Sequence, residues 1–145
     1  MDIEKIVSQA SSWSKTTVAT RSAIEKCAND LGLSFPPDYV RFLLVSNGAE
    51  GYTPPQHIAG YFALYTVEEL VACNEGYEIQ KRFPGYLSIG TNGAGELFLL
   101  NTLAKDQPTL MVRASDNTLK NAIVVGTNFA AFLQSISKSS GTESR

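Results

Sequence analysis

The chain has 145 residues, 43% of them hydrophobic, which suits one globular domain with a substantial core and makes a division into two domains forced. A net charge of −2 and a pI near 5.4 argue against the basic surface with which proteins hold nucleic acid by its phosphates, and favour a basic partner. No apolar run approaches the roughly 20 residues of a membrane-spanning helix. No signal-peptide pattern opens the chain and Cys27 and Cys73 stand far apart, so a reducing cytoplasm with both thiols free is expected.

In chain order, Ile3, Ile6, Val7, Ala10 and Trp13 recur at helical spacing and predict an amphipathic helix over residues 2–13. Ser22 and Glu25 have capping-box spacing for a second helix, with Thr20 as an earlier start. Its inner face is Ile24, Cys27, Ala28 and Leu31, and Gly32 ends it. A third helix follows with start and stop signals in place. Pro36 and Pro37 suit a first turn, where a missing N–H is tolerated, and Asp38 puts negative charge at the N-terminus. Asn47-Gly48 readily takes positive φ and stops it. Tyr39, Phe42, Leu43 and Ser46 share a stripe, flanked by Val40 and Leu44, so this helix belongs deep in a core.

After Gly48 the pattern changes to sheet. Residues 49–60, with Gly51, Pro54, Pro55 and Gly60, predict an irregular loop, and Tyr61-Phe62-Ala63-Leu64-Tyr65 a strand. Thr66 with Glu69 forms another capping box, opening a helix to about Asn74. Pro84-Gly85 turns into a strand over 86–89, and a turn from Thr91 to Gly95 returns it as a second strand over 96–100, an antiparallel hairpin. Residues 110–112 predict a further strand, and 122–125 either a short strand or an approach to the last helix. That helix is capped by Gly126-Thr127-Asn128 and buries Phe129, Phe132, Leu133 and Ile136. Residues 137–145 are too polar to offset ordering entropy and predict a mobile tail. The whole predicts a single α+β domain over residues 1–136, a largely antiparallel sheet packed with about four to five helices.

Sites of chemistry are few. His57, the sole histidine, has no metal-ligating or catalytic partner at useful spacing and predicts a solvated loop residue. Gly90, Gly93 and Gly95 lead into a strand pattern, whereas a phosphate cradle leads into a helix, so they predict a hairpin turn. No metal, cofactor or catalytic constellation is expected. Charge placement is more telling: between Arg41 and Lys81 there is no Lys or Arg, while Glu50, Glu68, Glu69, Glu75 and Glu78 all fall there. If the helix after Thr66 continues, Glu68, Glu75 and Glu78 lie near one face, joined by Glu50 from the preceding loop. Such a run is either plain solvated surface or a patch that steers a basic partner. Tyr52, Tyr61, Tyr65, Tyr77 and Tyr86 sit in or beside this region. Most are expected to pack in the sheet, and Tyr52 and Tyr77, placed in loops, are the better interface anchors.

Leu31-Gly32-Leu33, Pro36-Pro37-Asp38-Tyr39, Phe42-Leu43 and Asn47-Gly48 follow one another in the order of the SUKH superfamily signature, and this chain resembles that Smi/Knr-like group. The Tyr65–Leu70 helix opening, the Phe83–Leu87 turn, the Gly90–Leu97 hairpin and the Phe129–Leu133 helix also match, so the resemblance runs from about residue 20 to 136. It implies a cytoplasmic immunity protein that occludes a cognate toxin domain of a bacterial competition system, often a nuclease or another enzyme acting on nucleic acid. Such a protein needs neither catalysis nor direct contact with nucleic acid or membrane. The expected partner-binding residues are Glu50, Tyr52, Glu68, Glu69, Glu75, Tyr77 and Glu78, together with Glu96, whose Gly-Glu matches the family's. Glu96 is equally well read as a carboxylate accepting backbone hydrogen bonds that fix the turn. Two other readings stand beside immunity: a regulatory scaffold of the same fold without any toxin, and a small enzyme using Glu96 with a tyrosine.

Overall fold

The structure, a computed structural model, describes residues 2–10, 13–15 (Lys15 by its backbone alone) and 17–137; of the tail expected to be mobile from residue 137, Ser137 is the last residue of a helix and 138–145 lie outside the described residues. Helix α1 (Ile3–Gln9) starts at Asp2, whose side chain accepts from Lys5 N. It ends earlier than its periodicity suggests. Ala10 and Trp13 keep their inward direction through a turn, Ala10 N–H to Val7 O and Trp13 N–H to Ala10 O, and the indole packs edge-on against Phe62 at 5.3 Å. Helix α2 (Arg21–Leu31) is capped by Thr20 rather than Ser22, and Gly32 closes it at φ +68°. Helix α3 (Pro37–Val45) buries Tyr39, Phe42 and Leu43 as its stripe predicts.

Among the described residues seven strands pair antiparallel in chain order: β1 (Ser14–Lys15), β2 (Ala49–Tyr52), β3 (Tyr61–Leu64), β4 (Tyr86–Thr91), β5 (Glu96–Asn101), β6 (Thr109–Arg113) and β7 (Ile123–Gly126). Between β3 and β4 come α4 (Val67–Gly76) and the one-turn α5 (Ile79–Arg82), and α6 (Phe129–Ser137) ends the described chain. The architecture is a single α+β domain, with one helix more than expected because α5 is only four residues long. Residues 49–52, expected as loop, are strand. Ala-Glu-Gly-Tyr has little β-propensity of its own, and pairing with β3 in the register Glu50↔Ala63 and Tyr52↔Tyr61 overrides it. The loop proper is 53–60, closed by Thr53 N–H to Gly60 O at 3.1 Å.

Helices α1, α2, α3, α4 and α6 build the main core on one face of the sheet, where Tyr39, Phe42 and Phe129 meet at ring distances of 5.4–6.3 Å. Phe98 of β5 reaches Phe132 of α6 at 5.0 Å. On the opposite face a smaller cluster joins Ile79 and Phe83 to Leu97, Leu99 and Val112. Strand β5 is therefore buried on both sides, Phe98 and Leu100 toward the main core and Leu97 and Leu99 toward the smaller one. Arg82 holds the smaller cluster shut: Nε donates to Asp116 O at 3.1 Å, Nη1 to Tyr77 O at 2.8 Å and Nη2 to the carbonyls of Ala114 and Asp116.

Candidate partner-binding surface

The smaller cluster covers only the β5–β6 half of the outer face. On the β2–β3 half, register places Glu50, Tyr52, Tyr61 and Ala63 together on the side away from buried Phe62 and Leu64. Tyr52 is 79% exposed, and its ring meets Tyr61 edge-on at 5.3 Å. Tyr61 Oη donates to Glu50 Oε2 at 2.6 Å, and this bond to the carboxylate raises the phenol pKa above its ordinary value. On the other flank of Tyr61 lies Gly93 of the β4–β5 turn, where a Cβ would stand 3.4 Å from the ring. Tyr61, whose place in an aromatic run predicts sheet packing, faces outward through its register with Tyr52.

Five of the other predicted residues form two further groups. Glu68 and Glu69 lie in the first turn of α4. Glu69 closes the capping box through Thr66 N–H at 2.9 Å. Glu68 accepts from Asn47 Nδ2 at 2.9 Å, which lowers its pKa, while Asn47 Oδ1 accepts from Val67 N at 2.8 Å. Asn47 thus ties the end of α3 to the start of α4. At the far end Glu75, Tyr77 and Glu78 are exposed, but α4 stops at Gly76 and Glu78 takes φ +54°. The helix does not continue, because the chain must turn there to bring Ile79 to the outer cluster, so Glu78 does not share a helical face with Glu68 and Glu75.

Glu96 serves the turn, through a side chain rather than the backbone. Its Oε1 accepts from Asn92 Nδ2 at 2.7 Å, and Asn92 Oδ1 accepts from Ala94 N and Glu96 N at 3.0 and 3.1 Å. His57 is not the solvated residue expected from its Pro-rich loop. It is half-buried, Nδ1 accepts from Ala59 N at 3.0 Å and Nε2 lies 3.1 Å from Ser135 Oγ, anchoring the loop on α6. The Ala59 bond requires an unprotonated Nδ1, so the neutral ring carries its proton on Nε2 and donates to Ser135. Burial lowers the His57 pKa from 6.5. Unfolding below that value takes up a proton, so this residue's contribution to stability is complete above pH 6.5 and falls as the pH drops. We expect the melting temperature of the wild type to fall relative to that of His57→Gln between pH 7 and pH 5.5, and a constant difference between them would refute the assignment.

Among the described residues no group of three or more His, Cys, Asp or Glu is placed to hold a metal ion, and no helix is long and apolar enough to cross a membrane. The pattern of the SMI1 / KNR4 family (SUKH-1) matches residues 18–135, from ahead of α2 to within α6. No curated protein matches the chain. Since that match spans far more than half of the sequence, and α3 with its Asn47-Gly48 end lies inside it, the chain belongs to the SMI1 / KNR4 family (SUKH-1).

Proposed function

We propose that this protein is an immunity protein that binds a cognate toxin domain of a bacterial competition system and neutralises it by occlusion, the toxin being a nuclease or another enzyme with a basic, nucleic-acid-binding cleft. The observation that carries this reading is the placement of charge. From Phe42 to Gln80 no Lys or Arg occurs, and Glu50, Glu68, Glu69, Glu75 and Glu78 are all exposed. Arg82, the nearest arginine beyond them, directs its donors to backbone carbonyls. Family membership supports the same reading, since immunity proteins are a known role of the superfamily.

Exposed carboxylates in several groups, with no Lys or Arg among them in the sequence, raise the association rate with a basic partner and make it fall with added salt. Reversing Glu75 and Glu78 together to lysine is expected to slow association by about tenfold at low ionic strength and to flatten its salt dependence. An unchanged rate with both reversed would remove these two residues from the steering face. The reading as a whole is tested by co-expressing the protein in bacteria with the C-terminal domain encoded immediately upstream of its gene. Survival and a co-purifying complex are expected; continued killing, or a harmless neighbour, would shift the weight to a regulatory scaffold.

A further inference from the structure

We infer that the open β2–β3 face is where the partner docks, and that Glu50, Tyr52 and Tyr61 together receive one arginine side chain presented by that partner. This rests on the toxin-binding reading and adds the contact to it. Half of the sheet's outer face is already covered, by Ile79 and Phe83 over Leu97, Leu99 and Val112. On the other half two tyrosine rings and a carboxylate stand beside one another, with Tyr52 largely exposed. A large aromatic left so exposed beside a second ring is the kind of anchor that interfaces use, because it carries wide contact area on few rotatable bonds.

The chemistry of the group selects the occupant. Glu50 Oε2 is taken by the Tyr61 hydroxyl, so among the described residues the carboxylate keeps Oε1 for a donor from outside. That hydroxyl bond also restrains the Tyr61 ring. No ion pair to Glu50 occurs among the described residues, and no Lys or Arg follows it in the chain until Lys81. A guanidinium fits better than an ammonium: it is planar, it stacks on an aromatic face while its edge donates to a carboxylate, and it loses less hydration. Glu96 is engaged elsewhere, one of its carboxylate oxygens accepting from Asn92 within the β4–β5 turn.

The test uses the full-length protein and the purified, catalytically inactivated upstream toxin domain, with affinity read by calorimetry at physiological salt. Tyr52→Ala and Glu50→Gln each change an exposed side chain, and circular dichroism confirms that each is folded. We expect Tyr52→Ala to weaken binding by about 30-fold and Glu50→Gln by about tenfold, typical losses for an interface anchor and a charge-assisted bond. Changing the toxin's arginines one at a time to lysine should then find one whose effect is large against wild type and absent against Glu50→Gln. If wild type does not bind the toxin, the immunity reading falls and takes this contact with it. Tight wild-type binding that neither variant weakens overturns the inference alone, and so does the lack of any arginine coupled to Glu50.

Discussion

Asn74→Leu is expected to destabilise the protein by about 3 kcal/mol, because it leaves two buried backbone groups of one residue without partners. The wild-type amide is 2% exposed and exchanges hydrogen bonds with Ser88, Nδ2 to Ser88 O at 2.9 Å and Ser88 N to Oδ1 at 2.8 Å. Strand β3 ends at Leu64, opposite Gly90, so on the side away from β5 no strand pairs with β4 at Ser88, and the Asn74 side chain takes that neighbour's place. Leucine is close in size and a better helix former, which isolates the loss to the hydrogen bonds. Urea denaturation should show a lower midpoint with an unchanged slope, and the melting temperature should fall by about 10 °C. A change within 1 °C would mean that water or a shift of β4 satisfies Ser88 equally well.

Gly48→Ala is expected to cost about 3 kcal/mol or more, by a left-handed backbone and a backbone collision acting together. Gly48 has φ +85°, and an added Cβ would lie 2.7 Å from the Leu64 carbonyl oxygen, which belongs to strand and cannot step aside cheaply. The same segment carries buried Ser46, whose Oγ donates to Gly48 O at 2.6 Å, so displacing Gly48 would also unsatisfy a hydroxyl inside the core. Gly32→Ala provides the internal comparison. Its φ is +68° but nothing stands within 4 Å of the new Cβ, so only the conformational penalty of about 1–2 kcal/mol is expected. Equal losses at the two positions would show that the close approach to Leu64 plays no part.

Local signals in the sequence were enough for much of the fold. The stripe of Tyr39, Phe42 and Leu43, the Thr66–Glu69 capping box and the glycine-rich β4–β5 turn each depend on residues close in sequence, and all three are present, although Ser46, expected to extend the stripe, lies past the end of α3 in extended backbone. What was illegible depends on pairing across the chain. Ala49–Tyr52 becomes a strand only because β3 lies beside it, and Tyr61 reaches the open face only through that register. Asn74 reads as the end of a helix until Ser88, fourteen residues later, is seen against it. Asn47 looked like a stop signal alone, yet its side chain also joins α3 to α4 and holds Glu68. The glutamate spacing makes one face only if the helix continues; it ends at Gly76, and Glu78 leaves the face of Glu68 and Glu75.

The claim that the protein acts by occlusion predicts a stoichiometric effect. Titrating the active toxin domain with this protein, at concentrations well above the dissociation constant, should reduce toxin activity linearly to zero at an equimolar ratio, without dependence on incubation time. Loss of activity that progresses with time at a small fraction of that ratio would show that the toxin is being chemically inactivated and would contradict the account, as would full toxin activity at a large excess of the protein.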